Sequence, residues 1–442
     1  MSAWRILSVS AVLVAACTAP PERLMPSPVL YAGADDASAF GIAVPDRLAV
    51  PVLYATGREP EGTRRFAGGV EGPNYLALEA EVVRLGQAHV TIGEEEHWPT
   101  LWRESVAVER GEDPRLRLEG VEELAVLDLE WRDREEVVLH DAQRAFLSRL
   151  EEELARSSSR ELLVYVHGAK VGFERCTVRT AELAHFLGRD FVPVVFDWPT
   201  HPNILAYVMG EDHERAHRSA RSLRALLEFL AQHSSARRIH VVCYSAGGIV
   251  TSEALTALRR RSPEATSEEL RDRHRLGAVV FNAADVALDT FLGELADMHD
   301  VLERLTLTRS DDDSALGMAE AVLGGGRRVG VEGPVGPVEQ ELLERLERVE
   351  FLDVSWDHEA RGFDITGHHY WYRHPWVSSD LVLNLRGDLP AARRGLVPTD
   401  HPRIWALPED YPDRVRRAAR EHLSWGPPDG RPEGLAAPGA GR

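Results

Sequence analysis

Lysine is almost missing from this chain of 442 residues: Lys170 stands alone against fifty arginines. A bias that strong reads as a base-composition preference of the source genome rather than as chemistry. Positive charge is also outweighed, with 51 Lys and Arg against 71 Asp and Glu and a formal net charge of -20. That balance excludes nucleic acid and an anionic membrane surface as electrostatic partners. No basic block is long enough to form a phosphate-binding patch; Arg259 to Arg261 reads as the end of a helix. Cysteine is scarce, at three residues, and aromatics are 7%. What is present is a 44% hydrophobic, 28% charged composition, enough for one large core or a core plus a smaller domain.

Residues 1–17 read as a targeting segment to be left out of the fold. Arg5 supplies a minimal positive region, and Ile6 to Ala16 is apolar but too short to span a bilayer. The stretch Leu13-Val-Ala-Ala-Cys17 resembles a bacterial lipoprotein signal box. That resemblance implies lipidation of Cys17 as the first mature residue and a place in the bacterial cell envelope. Residues 18–46, rich in Pro, Ala, Ser and Asp, are expected to be a flexible tether. Residues 47–425 then form the folded domain, and the Pro- and Gly-rich residues 426–442 a disordered tail. Cys176 and Cys243 could pair outside the cytoplasm, but their spacing does not argue for it. They read as two small buried hydrophobes.

The first strand is expected within Asp46 to Thr56, and β-patterned runs follow at Tyr75–Ile92 and Glu122–Glu130. These suit antiparallel strands at one sheet edge. Apolar residues at helical spacing mark Ala142–Ala155. From Glu161 onward strands and helices alternate, with strands at Leu162–Val166, Val192–Phe196, Ile239–Val242, Ala278–Phe281, Arg304–Leu307 and Val349–Val354. Repeated βα units with apolar strands predict a mostly parallel, doubly wound sheet whose site lies at the carboxyl ends of its strands. The glycine-rich residues 324–337 lack the spacing of a phosphate cradle and read as a mobile connection, a candidate lid edge.

Chemistry concentrates around Ile239–Thr251, where an apolar strand, Ser245, two glycines and a helical pattern follow one another. This is the layout of a nucleophile elbow, with Cys243 in place of the usual first glycine. A serine hydroxyl needs a base to take its proton, and a histidine base needs a carboxylate to hold its tautomer. Downstream acids lie at Asp285, Asp289 and Asp311 to Asp313, and histidines at His358, His368, His369 and His374. Spacing alone does not choose among them.

Four stretches together resemble an uncharacterised bacterial family of α/β-hydrolases: Tyr165-Val-His-Gly168, Val195-Phe-Asp-Trp-Pro199, Tyr244-Ser-Ala-Gly247 and Gly367-His-His-Tyr370. Pro51 to Arg58 is similar to that family's N-terminal signature, where aspartate is more usual than Gly57. The resemblance covers about residues 48–375 and implies an α/β-hydrolase fold with Ser245 as nucleophile, His368 as base and Asp313 as acid. Asp312 and, less favoured, Asp285 are rival acids. The backbone N–H groups of Ala169 and Ala246 are expected to form the oxyanion hole. The implied protein is a membrane-tethered serine hydrolase of an ester, thioester or amide, acting on a small-molecule or lipid acyl substrate. It needs no cofactor. Tyr370, Trp371, Tyr372 and Trp376 are candidates for an acyl pocket, although such clusters are more often core.

Two other readings compete. Asp357, His358, Asp364, His368, His369 and His374 are rich in metal-ligand types, but the expectation is that no helical His-x-x-x-His pair accompanies them, so no metal is assigned. The other is a hydrolase fold kept as a catalytically inactive binding or envelope-structural lipoprotein.

Overall fold

A computed structural model describes residues 22–34, 36–133, 138–317, 326–355, 367–401 and 403–423. Eleven strands form one sheet in the order β10-β11-β9-β8-β7-β6-β4-β5-β1-β2-β3. They are β1 Val50–Arg65, β2 Glu71–Ile92, β3 Leu116–Leu127, β4 Leu162–Val166, β5 Val192–Asp197, β6 Ile239–Tyr244, β7 Leu276–Asn282, β8 Leu302–Arg309, β9 Val349–Asp353, β10 Val397–Pro398 and β11 Ile404–Ala406. The seven strands from β1 through β5, β4, β6, β7 and β8 to β9 pair in parallel, and β11 extends that run. The long hairpins β1–β2–β3 are antiparallel at one edge, as their alternating pattern predicts.

Strand periodicity sorts the apolar residues onto two faces. In β4, Leu162, Val164 and Val166 join one core with the helices Asp141–Arg156, Glu211–His233, Gly247–Arg260 and Leu288–Val301. Leu163 and Tyr165 face the other core, under the helices Phe173–Phe186, Pro375–Leu385 and Tyr411–His422. Because all the central strands are covered twice, their ends converge on one rim. There β4 leads into His167, β5 ends at Asp197, β6 leads into Ser245 and β8 leads towards Asp313.

Two expectations are corrected. The stretch read as a tether is docked from residue 22 onward: Leu24, Met25, Leu30 and Tyr31 are buried in the second core. Its backbone is tied down by Leu24 N–H donating to Pro114 O at 2.8 Å and Val29 N–H to Pro375 O at 3.0 Å. With Phe40 and Ile42 that makes six apolar anchors, which hold a Pro- and Ala-rich stretch onto the second core. The glycine-rich connection is likewise pinned over its described part. Val329 N–H donates to Val286 O at 3.0 Å, Gly330 N–H to Ala284 O at 3.2 Å, and Val329 is fully buried. A Cβ at Gly330 would stand 2.8 Å from backbone atoms of Ala283 and Ala284, so glycine there serves close packing rather than mobility. Cys17 and the tail from residue 426 lie outside the described residues. Among the described residues no helix is long and apolar enough to cross a membrane.

Candidate active site

Ser245 sits between the end of β6 and the helix Gly247–Arg260 with φ of 53°, in the left-handed region that a serine enters at a cost of about 1 kcal/mol or more. The surroundings impose it. Ser245 N–H donates to Asn282 O at 3.0 Å, and its carbonyl accepts from Gly248 and Asp285 N–H at 2.8 and 3.1 Å. Any side chain at Gly247 would put its Cβ 2.5 Å from His167 O, and one at Gly168 would reach 2.8 Å from the Ser245 Cβ. These glycines let the elbow nest against the loop after β4. Cys243 is fully buried within the sheet, and burial pushes its thiol well above the ordinary range. It fills the position of the missing glycine as a small apolar residue, and both Cys243 and Cys176 are free rather than paired.

His368 arrives from the far end of the sequence. Gly367 has φ of 64°, and a Cβ there would come within 2.5 Å of Asp312 O, so the chain can pass over the Asp312–Asp313 backbone only as glycine. The hydroxyl of the following Tyr370 lies 2.9 Å from Thr308 Oγ1 and accepts from Ala283 N–H at 3.0 Å, locking the loop to the ends of β7 and β8. The result is a buried relay. His368 Nδ1 is 2.6 Å from Asp313 Oδ2, and His368 Nε2 is 3.0 Å from Ser245 Oγ. Asp313 is held in turn, its Oδ1 accepting from Leu316 N–H at 3.0 Å.

Neither rival acid takes that place. Asp312 contributes its N–H to Ser310 Oγ and its carbonyl to the Gly367 crossing. Asp285 accepts from the Tyr207 hydroxyl and faces Arg328 at 3.2 Å. Tyr207 and Arg328 carried no motif, and only the folded chain shows a hydroxyl and a guanidinium turned towards this acid. Ala169 lines the same cavity as Ser245 and Ala246 follows the serine in the chain; among the described residues no backbone carbonyl takes up either N–H.

Ser245 and His368 open onto a cavity of about 410 Å³, a size suited to a small organic ligand. Tyr165, Tyr244, Tyr372, Ile204 and Leu316 provide its apolar wall, and Lys170 and Arg175 lie on its lining. Of the four aromatics expected there, Tyr372 alone lines the cavity. Tyr370 and Trp371 belong to the core, and Trp376 packs against Tyr411 with ring centroids 5.9 Å apart.

Behind the loop after β4 lies a second buried polar group. Asp197 accepts from Arg58 Nε at 2.8 Å and Thr56 Oγ1 at 2.5 Å, and sits 3.1 Å from His167 Nε2. Arg58 also donates to the carbonyls of Thr200, Val171 and Trp198 at 2.9 to 3.1 Å. Burial alone would raise the Asp197 carboxyl, but the Arg58 guanidinium and the His167 hydrogen bond prevail and hold it at about 2. The N-terminal signature and the Phe196-Asp-Trp-Pro motif are thus two halves of one ion pair. His167 stacks on Trp198 with ring centroids 5.4 Å apart.

Of the ligand-rich stretch, Asp357, His358 and Asp364 lie outside the described residues. His374 Nδ1 accepts from Trp376 N–H at 3.2 Å and serves as a helix cap. His167, Cys176 and Asp197 converge as well, but Arg58 already supplies the cation there. Outside that stretch of sequence, His213 and His217 stand four apart on the helix Glu211–His233.

A largely parallel sheet wrapped by helices, with a serine on a strained turn after the central strand, is the α/β-hydrolase fold. The model of a family described as an alpha/beta hydrolase of unknown function (DUF900) matches residues 142–385, more than half of the chain. The chain belongs to that family of hydrolases. Two matching solved structures are of esterase B from Lactobacillus rhamnosis, one of them inhibited. They share 13% and 12% identity with this chain at TM-scores of 0.25 and 0.26, covering 45% and 46% of it. The chain in turn spans 67% and 66% of theirs. No curated protein matches.

Proposed function

We propose that this protein is a serine hydrolase that cleaves an ester, thioester or amide through an acyl-enzyme. The observation that carries the reading is the continuous hydrogen-bonded line from Asp313 through His368 to Ser245 at the mouth of a cavity. In that line Asp313 accepts from His368 Nδ1–H, which leaves the Nε2 lone pair facing the serine hydroxyl. As Ser245 Oγ bonds to the substrate carbonyl carbon, its proton passes to Nε2. The developing oxyanion is met by the N–H groups of Ala169 and Ala246. The imidazolium then protonates the leaving group, and water activated by the same nitrogen releases the acid and restores the serine. The apolar wall of Tyr165, Tyr244, Tyr372, Ile204 and Leu316 suits an acyl group.

A fluorophosphonate probe tests this. Labelling of the wild type but not of Ser245→Ala is expected. A folded wild type that takes no label would instead be a binding module on a hydrolase fold. The leader stretch Leu13-Val-Ala-Ala-Cys17 supports the further reading that the enzyme is tethered in the bacterial envelope through lipidated Cys17. Radiolabelled palmitate should enter the wild type and not Cys17→Ala; equal incorporation in both removes the anchor from this reading.

A further inference from the structure

The lining of the cavity beside Ser245 is unevenly charged. Among the described residues its one carboxylate is Asp285, which takes the Tyr207 hydroxyl and faces Arg328 at 3.2 Å. Three cations share the lining: Lys170, Arg175 and Arg179. Both arginines are engaged. Arg175 Nε is 2.9 Å from Glu22 Oε1. Arg179 pairs with Glu182, has Glu22 Oε2 at 3.8 Å and stands 4.1 Å from the centre of the Tyr372 ring. Among the described residues none offers the Lys170 ammonium a hydrogen bond or an ion pair. Its backbone, by contrast, is held on both sides. Trp198 Nε1–H donates to His167 O at 2.7 Å, Val171 N–H to Thr200 Oγ1 at 3.2 Å, and Arg58 to Val171 O at 2.9 Å. Between these ties Lys170 has φ of 59°, a left-handed turn that glycine makes at less cost. The turn itself favours glycine; a lysine there sets an unpaired ammonium on the cavity lining, next to Ala169 of the proposed oxyanion hole.

We propose that Lys170 is a specificity residue: it binds a carboxylate carried by the substrate, close to the bond that is cleaved. This rests on the hydrolase reading for the identity of that bond. An ammonium is a point charge with donors only, so an anion is its natural partner. One free ammonium balances one carboxylate; a phosphate dianion calls for a second free cation, and both arginines are taken. Lys170 stands outside the line from Asp313 through His368 to Ser245. It therefore selects the substrate rather than activating the serine. The carboxylate can belong to the acyl chain or to the leaving group, since both meet at the carbonyl beside Ala169.

Calorimetric titration of the full chain carrying Ser245→Ala tests this with two pairs of amides. The anilide of pentanoic acid and the monoanilide of glutaric acid have acyl chains of equal length, without and with a terminal carboxylate. Butanoic anilide without and with a carboxylate at the para position of its ring moves the charge to the leaving group. In at least one pair the anionic member should bind about 10-fold more tightly, and less so as salt is raised. Lys170→Met in the same background should abolish that preference, and Lys170→Arg should keep most of it. Each preference is a ratio within one protein, so a partly unfolded variant does not imitate the result. Equal affinity within both pairs, a preference that survives Lys170→Met, or an equal loss for charged and neutral members overturns the proposal. The readout needs no turnover. A Lys170-dependent preference in a protein whose wild type takes no fluorophosphonate label would keep the anion site and remove the hydrolase.

Discussion

Two buried histidine–carboxylate pairs stand on the same rim of the sheet, and they differ in what their second nitrogen meets. In the pair His368–Asp313 the remaining nitrogen faces the hydroxyl of Ser245 at 3.0 Å, beside a cavity. In the pair His167–Asp197 it faces Gly168 O at 2.7 Å, and no solvent reaches either side chain. A hydroxyl can donate to imidazole and surrender its proton; a carbonyl can only accept. The first histidine is therefore equipped as a base, while the second bridges Gly168 O and Asp197 and holds the shape of the loop that carries Gly168 and Ala169. The carboxylates differ in the same sense, because Asp197 is answered by a buried guanidinium. Similar residue types thus give a reactive line in one place and a structural joint in the other.

The strongest way to break this contrast is to remove the proposed nucleophile. Ser245→Ala should lower kcat about a millionfold while leaving the thermal midpoint in place, since serine and alanine share the Cβ that the turn constrains. Asp313→Asn should lower kcat about 10⁴-fold by turning the imidazole to the wrong tautomer, with Asp312→Asn remaining within a few-fold of the wild type. Equal losses in the two asparagine variants would mean that the acid is not the residue seen on His368 Nδ1. The other pair should answer in stability. Arg58→Met strands the Asp197 carboxylate in the core, at about 3–5 kcal/mol in denaturant unfolding. A stability loss below about 1 kcal/mol would show that Arg58 is not the counter-charge the joint depends on.

Much of the reactive pair was legible because its signals are local. The run Ile239–Tyr244 is apolar and β-rich, Ser245 follows it, and glycine sits where only glycine fits, at 247 and 367. The choice of Asp313 over Asp312 and Asp285 came from resemblance, and three-dimensional placement distinguishes them. The structural pair was visible only as separate motifs, since Arg58 and Asp197 are 139 residues apart and nothing local announces their contact. The helix Pro375–Leu385 went unread because it is buried nearly all round, which erases the amphipathic period. Strands β10 and β11 are too short, at two and three residues, to carry alternation. The docked segment from residue 22 was hidden by averaging composition over a stretch in which six scattered anchors do the packing.

The smallest effect follows from the Asp197 carboxyl, held at about 2 against an ordinary 3.8. A carboxyl depressed in the folded state binds fewer protons there than in the unfolded chain, so its contribution is complete above the unfolded value. It is lost as pH falls from about 4 through about 2, a matter of about 2 kcal/mol for this one group. Other carboxylates titrate in the same window, so the informative quantity is the difference between the wild type and Arg58→Met. Without the guanidinium, burial is expected to outweigh the remaining His167 and Thr56 hydrogen bonds and raise the Asp197 carboxyl above the unfolded value. The sign then reverses, and the variant's deficit should shrink as pH falls from 7 towards 4, because protonation relieves the buried charge. Unfolding free energies of both proteins across pH 7 to 3 measure it. A deficit independent of pH would mean that Arg58 acts through its carbonyl contacts alone, and the contrast between the two pairs would then rest on geometry rather than on charge.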